Sequence, residues 1–362
     1  SIINIPQFIA ALVVLSSSAC AAPFIEEVDP PVLQRGAVTR VTLRGHDLRQ
    51  AVGVWASLPT SPVSSSIITT NNQNEVTLDI TVPDDAQLGL HGLRLATQSG
   101  LSNVHIVLID ELPLTPAPGE VKVAGQSIDV DLPCCLVASC RPAAIDQYGI
   151  HVATGQSVAF EVVGSRFGKN YDPLITVRDE SGSIVAQRDN DPGLFYDCRF
   201  AHTFETSGRF IVEVRESRYE GSKAWNYVLR MGDFPAANVA IPSVAMPGSK
   251  ASLWLPEISD DPFEVTVAAR PRMRSFFQEV RSSSRTVATW IPLQSTSLTK
   301  HSFESEPNDD PDETATVVSI PGMLSGIINA PDDRDCFAFH LTKGQTINIT
   351  AESREIGSAA DL

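Results

Sequence analysis

Asp146-Gln-Tyr-Gly-Ile-His-Val-Ala-Thr-Gly-Gln156 sets the reading of this chain, because Asp335-Cys-Phe-Ala-Phe-His-Leu-Thr-Lys-Gly-Gln345 repeats it. The two align without a gap. Asp146, His151, Gly155, Gln156, Gly168 and Asp172 meet Asp335, His340, Gly344, Gln345, Gly357 and Asp361. Tyr148, Ile150, Val152 and Val158 meet Phe337, Phe339, Leu341 and Ile347. An ungapped repeat with shared apolar alternation reads as one β-module used twice. The second copy stops at Leu362 in mid-module, which predicts a longer parent protein.

Working outward, Asp172-Pro-Leu-Ile-Thr-Val, Gly182-Ser-Ile-Val-Ala, Asp189-Asn-Asp, Ser207-Gly-Arg-Phe-Ile-Val-Glu-Val and Tyr227-Val-Leu-Arg follow in order. Strands such as Val158-Ala-Phe-Glu-Val and Phe210-Ile-Val-Glu-Val alternate, which predicts one face on a core and one in water, as in a sandwich. The ordered series resembles the bacterial pre-peptidase C-terminal (PPC) domain, a small jelly-roll-like β-sandwich found beside secreted peptidases and in large secreted proteins. The resemblance covers 119–234 and begins again at 304–362.

Composition agrees with short strands and many turns. The 362 residues carry 25 Pro and 22 Gly, and no long stretch has helical periodicity. A net charge of −16 speaks against nucleic acid as a partner, which calls for basic patches. Phe8-Ile-Ala-Ala-Leu-Val-Val-Leu is too short to span a bilayer. With Ala19-Cys-Ala21 after it, residues 1–22 read as a signal peptide. Cys20 as a lipoprotein cysteine is the alternative. The implied location is secreted, periplasmic or at the cell surface, with no membrane span. Five cysteines remain after cleavage: Cys134, Cys135, Cys140, Cys198 and Cys336. Export permits disulfides, and one bridge within 134–198 is expected.

The chain then divides as all-β tandem sandwich modules. Residues 23–111 hold Gly36-Ala-Val-Thr-Arg-Val-Thr-Leu-Arg-Gly-His, with a turn expected at Gly45, and further alternating strands. Their order resembles an immunoglobulin-like domain of the IPT/TIG type, a family of spacers and contact surfaces. Residues 112–118, Leu-Pro-Leu-Thr-Pro-Ala-Pro, read as a stiff Pro-rich linker. The PPC-type sandwich follows at 119–234, its first strand expected within 120–130. Leu132-Pro-Cys-Cys-Leu-Val-Ala-Ser-Cys-Arg-Pro stands where the family has a short turn, and its role is open. Residues 235–303 read as a small β-module with Arg270, Arg272, Arg274, Arg281 and Arg285 around Phe276-Phe277. Basic side chains there either grip an acidic polymer or lie over a core edge. Arg215-Glu-Ser-Arg-Tyr-Glu-Gly, with mixed charge and an aromatic, is a candidate contact loop.

No catalytic constellation is legible. The histidines, His46, His91, His105, His151, His202, His301 and His340, are scattered, and there is neither a Gly-x-Ser-x-Gly elbow nor a His-Glu-x-x-His helix. Two readings stay open. One is a non-catalytic, secreted modular β-protein that binds or spaces at the cell surface or outside the cell. The other is the accessory region of an exported peptidase whose catalytic domain lies outside this sequence. The resemblance supports both, and the partner, protein or polysaccharide, is left open by the residues.

One segment nominates a metal. Glu304-Ser-Glu-Pro-Asn-Asp-Asp-Pro-Asp-Glu313 has six acids and no base. Extended chain puts Glu304, Glu306 and Asn308 on one side. A hard cation such as Ca²⁺ takes about 6–8 oxygens and would relieve their repulsion. The pattern Glu-x-Glu-Pro-Asn-Asp resembles the calcium-binding opening segment of collagen-binding domains in secreted collagenases. That likeness implies Glu304, Glu306, Asn308, Asp309, Asp332 and Asp335 as ligands. The other reading is a solvated acidic linker. Asp189, Asp191 and Asp197 are a second acidic group, read either as calcium ligands or as a solvated turn.

Overall fold

A computed structural model describes residues 22–58, 62–115, 126–222, 224–256, 258–259, 261–267, 269, 275–353 and 356–358, without the side chains of 69–72. The export segment, apart from Ala22, lies outside the described residues, as do Arg270, Arg272 and Arg274. Among the described residues no helix is long and apolar enough to cross a membrane.

Alternation builds the first module. Its strands are β1 (Phe24–Asp29), β2 (Val32–Gln34), β3 (Val38–His46), β4 (Ala51–Ala56), β5 (Ser64–Asn72), β6 (Glu75–Thr81), β7 (Gly89–Thr97), β8 (Gly100–Leu101) and β9 (His105–Asp110). One sheet runs β1-β3-β6-β5 and the other β2-β9-β7-β4, with β8 beside β7. Val41 and Leu43 of β3, Val76, Leu78 and Ile80 of β6, and Leu93 and Leu95 of β7 share one buried cluster. Each such side chain contributes about 1.5–3 kcal/mol of transfer free energy. Gly45 is no turn. It lies inside β3 opposite Ile25, where a Cβ would collide with the Phe24 carbonyl.

The second module carries β10 (Leu114–Thr115), β11 (Ile128–Asp129), β12 (Cys134–Ser139), β13 (Asp146–Val152), β14 (Ser157–Val163), β15 (Pro173–Arg178), β16 (Ile184–Asp189), β17 (Arg199–Thr203), β18 (Gly208–Glu216) and β19 (Asn226–Gly232). They form two five-stranded sheets, β10-β12-β19-β14-β17 and β11-β13-β18-β15-β16. Three expectations change here. Leu114–Thr115 of the linker pair with β12, and Leu112 is buried, so this part of the Pro-rich stretch is no free spacer. Residues 116–118, with most of the stretch expected to hold the first strand, lie outside the described residues. The Cys-bearing segment of open role is β12, paired with β19 from Cys134↔Met231 to Ser139↔Asn226.

The third correction concerns alternation. All of β19 is buried, and so is β14 after Ser157, so the middle of this sheet has no watery face. One face packs on the sandwich core. The other joins the first module's cluster through Cys135, Val137, Ala159, Val163 and Val228. The expected disulfide is absent. Neighbouring strand residues point to opposite faces, so Cys134 belongs to the sandwich core and Cys135 to the inter-module cluster. Cys134, Cys135, Cys140 and Cys198 are buried free thiols, and Cys336 is a free thiol at intermediate exposure.

The third module holds β20 (Val244–Ala245), β21 (Lys250–Leu253), β22 (Phe263–Thr266), β23 (Ser275–Val280) and β24 (Thr289–Ser295) in sheets β20-β24-β23 and β21-β22. Leu253, Leu255, Phe276, Ile291 and Leu293 make its own core, while Trp290 joins the first module's cluster. The last segment has β25 (His301–Phe303), β26 (Thr316–Val317), β27 (Met323–Ser325) and β28 (Phe337–Ala338), paired in parallel as β25-β27 and β26-β28.

The two aligned stretches share their turn. Gln156 Oε1 accepts from Ala153 N at 2.8 Å, and Gln345 Oε1 from Thr342 N at 3.2 Å. Gly155 and Gly344 both have left-handed φ, 77° and 87°, which glycine adopts without strain. They differ in strand content: β13 spans seven residues, whereas β28 is Phe337–Ala338. β13 is held by β18 and β14 by β19. Among the described residues β28 pairs instead with β26, Thr316 opposite Phe337 and Val317 opposite Ala338.

Candidate metal centre

The acidic segment leaves β25 and is drawn toward β27. Glu304 N donates to Ser325 O at 3.0 Å, and Ile327 N donates to Glu304 Oε1 at 2.6 Å. Glu306 accepts from Asn308 N at 3.0 Å and from Asn329 Nδ2 at 2.9 Å. Asp335 arrives from the other side, two residues before Phe337 of β28. The outcome is a triad: carboxylate oxygens of Glu304, Glu306 and Asp335 lie within 4.8 Å of one another. Burial, together with the Asp335 carboxyl beside it, pushes Glu304 up to about 7.

Three observations fit a hard cation to this set. Glu304 Oε2 and Asp335 Oδ1 are buried and make no hydrogen bond. The Asn308 side chain is fully buried with neither amide atom bonded, a cost of about 1–3 kcal/mol per group when nothing compensates. Gly326 forms a cradle: a Cβ there would lie 2.5 Å from Asp335 Oδ2 and 2.6 Å from Glu304 Oε2. The donor atoms are all oxygens, as Ca²⁺ or Mg²⁺ prefers.

Asp309 and Asp332 stand apart from the triad. Both line a neighbouring cleft of about 490 Å³ that Glu306 shares. Asp309 Oδ1 accepts from Arg334 N at 3.2 Å, and Asp332 has a left-handed φ of 69°. Gly326 and Asn329 were invisible to sequence reading. Their spacing to Glu304 and Glu306 exists only through the parallel β25-β27 pair.

The second acidic group is neither a calcium site nor a solvated turn. Asp197 is fully buried and accepts from Gly164 N, Ser165 N, Arg166 N and Arg166 Nε. Asp191 is buried and accepts from Arg199 N at 2.7 Å. Asp189 alone is exposed. The loop at Arg215–Gly221 closes on buried Glu216, which accepts from Arg218 N and Glu220 N, while the Arg215 guanidinium lies 4.5 Å from the Tyr219 ring centre. Arg281 pairs with Glu111 and Glu279, and Arg285 with Asp233, so each reaches an acid at a module boundary.

Sequence reading missed a buried charge cluster. Glu161 of β14 is fully buried, with Arg166 Nη2 and Arg199 Nη2 on Oε1 and Arg230 Nη1 on Oε2 at 2.8, 2.7 and 2.5 Å. Arg230 grips Asp110 of the first module at 2.6 and 3.0 Å, and Arg166 grips Asp197. Arg199 donates to the Ala237 and Trp290 carbonyls ahead of and within the third module's sheets. Arg230 lies 4.1 Å from the Trp290 ring centre and 4.2 Å from that of Phe234. Burial opposes charge on Glu161, but Arg199, Arg166 and Arg230 outweigh it and hold the carboxyl far below the usual range. Three guanidiniums face three carboxylates, and the group ties the modules together.

Among the described residues one hydroxyl–imidazole pair stands near the triad, His301 Nε2 and Ser325 Oγ at 3.0 Å. No acceptor orients the other imidazole nitrogen, as a base for nucleophilic attack requires.

No family model matches the chain, and no curated protein does. Among solved structures it is similar to the pre-peptidase C-terminal domain of a collagenase from Bacillus anthracis, at 15% identity over 30% of this chain and 98% of that one, TM-score 0.24. It is similar also to the Bacteroides ovatus mixed-linkage glucan utilization locus protein SGBP-B, at 8% identity over 56% and 72%, TM-score 0.20. A third is the ICAM-5 D1–D4 ectodomain fragment, at 11% identity over 76% and 70%, TM-score 0.18. At these scores the architecture rests on the chain's own sheets: an all-β protein of tandem sandwich modules.

Proposed function

We propose that this chain is a non-catalytic, exported binding protein, secreted, periplasmic or at the cell surface, whose last segment is ordered by Ca²⁺ on Glu304, Glu306 and Asp335. The observation that carries the metal is the triad with its unbonded buried oxygens beside the Gly326 cradle. Asn308 supplies the candidate amide oxygen, and Asp309 and Asp332 stand in the adjoining cleft for ions that keep water. A bound cation would screen three mutually repelling carboxylates and fix β25-β27 against β28. The non-catalytic part is supported by the unoriented His301–Ser325 pair and by sandwich surfaces that suit contact. The test is thermal unfolding in Ca²⁺ and in EGTA. A ligand at about 100 times its Kd stabilises by about 2.7 kcal/mol, so the last segment should melt higher in Ca²⁺. Identical curves in wild type and Glu306→Ala would leave the acidic linker. Turnover of casein, gelatin, ester or glycoside substrates that one point mutation abolishes would end the non-catalytic reading.

A further inference from the structure

Away from the triad, the second and third modules and the chain at Gly357 enclose a cleft of about 530 Å³, inside the range of about 300–1,000 Å³ typical of small-ligand sites. Arg188, Arg199 and Arg285 line it. Arg188 has one ion pair, Nε to Asp191 Oδ1 at 3.3 Å, and its side chain is 52% exposed. Arg285 is held through Nη1 by Asp233. Arg199 lies beneath, fully buried. Its Nη atoms are taken by Glu161, Ala237 and Trp290, but its buried Nε makes no hydrogen bond. Asp191 is the acid among the described lining residues, and both its oxygens are occupied, by Arg199 N and by Arg188. The wall therefore offers unused N–H donors and no free carboxylate. Its complement is an anion, and a guanidinium fork fits a carboxylate best. Phe200 and Ile258 give the rest of the wall an apolar character.

A second feature lies on the chain that leaves the wall at Asp191 and Pro192. Asp191 begins a loop that runs to Asp197 and is bound up internally. Asp191 N donates to Asp197 O, Leu194 N to Asp191 O and Asp197 N to Leu194 O, at 3.0, 3.1 and 3.0 Å. Leu194 and Asp197 are buried. On this frame Phe195 is 77% exposed and Tyr196 52%. Phe195 has a φ of 59°, a left-handed conformation that asparagine or glycine adopts at lower cost, and its ring belongs to none of the hydrophobic cores. An exposed ring carried on a hydrogen-bonded turn can stack on a flat apolar face.

We propose that this cleft binds an acidic saccharide, with a uronate carboxylate on Arg188 and Arg285 and a sugar face stacked on Phe195 or Tyr196. The inference deepens the binding reading above and rests on it, though not on the calcium site. A cleft of this size takes one or two sugar rings, whereas a protein partner needs about 800 Å² on each side. The net charge of −16 repels polyanions at long range, so any such binding must come from local contacts.

The experiment is titration of the whole chain, in EGTA, with oligogalacturonate, its methyl ester, oligoglutamate and inorganic phosphate. Saturable binding of oligogalacturonate is expected, at least tenfold tighter than the methyl ester, oligoglutamate or phosphate. Arg188→Gln and Phe195→Ala should each weaken it about tenfold or more while leaving the melting temperature in place. Absence of oligogalacturonate binding, equal binding of oligoglutamate or phosphate, or binding untouched by both substitutions would each overturn the proposal. Gly357 of the wall belongs to the last segment, so the titration is run in EGTA and repeated in Ca²⁺: binding in EGTA stands apart from the calcium test, and failure of every ligand in both would count against the binding reading itself.

Discussion

Glu161→Gln removes one negative charge from a buried group of three guanidiniums and three carboxylates. The amide keeps the shape but leaves Arg166, Arg199 and Arg230 facing only Asp110 and Asp197. Breaking a buried ion pair by removing one partner costs about 3–5 kcal/mol. That is a large share of the roughly 5–15 kcal/mol that holds a domain folded. Because Arg230 reaches Asp110 and Arg199 reaches the Trp290 carbonyl, the loss should lower the unfolding of all three modules together. Adding Arg199→Gln to Glu161→Gln restores neutrality, so the double variant should be less destabilised than the sum of the single ones, by about 0.5–3 kcal/mol. Urea unfolding followed by tryptophan fluorescence reads this, since Trp290 lies against Arg230 and Arg199. A Glu161→Gln midpoint within about 1 kcal/mol of wild type, or strict additivity in the double variant, would refute the reasoning.

Acid should act through the same group. Glu161 is held below its unfolded value of 4.5, so its contribution is complete above that value and is lost as pH falls toward the folded one; melting temperature should drop below about pH 4.5, and less steeply in Glu161→Gln. Burial pushes the Cys134 and Cys140 thiols up to about 12, and Cys135 and Cys198 are fully buried. Maleimide should therefore label Cys336 and spare these four in the folded chain, as read by peptide mass mapping, with all of them labelled in urea. Labelling of Cys134 before unfolding would contradict the placement of β12. Gly326→Ala sets a methyl against Glu304 Oε2 and Asp335 Oδ2; it should abolish the calcium-dependent rise in melting temperature while leaving the unfolding that Glu161→Gln perturbs unchanged, and an unaltered calcium response would remove the cradle from the account.

Sequence reading reached elements with one wet face. β3 and β7 alternate buried residues with exposed or half-buried ones as period two demands. It failed where both faces are covered. Cys134–Val137 are all buried and carry no period, so a core strand passed for an insertion. Glu161 looked like the solvent position of an alternating strand, because its partners Arg199 and Arg230 lie 38 and 69 residues away. At the acidic site, Glu304 and Glu306 were nominated by their spacing and Asp335 by its place in the repeated motif. Gly326 and Asn329 join them only through strand pairing, which no local pattern encodes.

The central claim is a cation site in the last segment, and calorimetric titration of Ca²⁺ into the metal-free whole chain tests it most directly. The account predicts a saturable event near one ion per chain that disappears in Glu306→Ala and in Asp335→Ala. No heat in the wild-type chain, or heat that survives both substitutions, would contradict it.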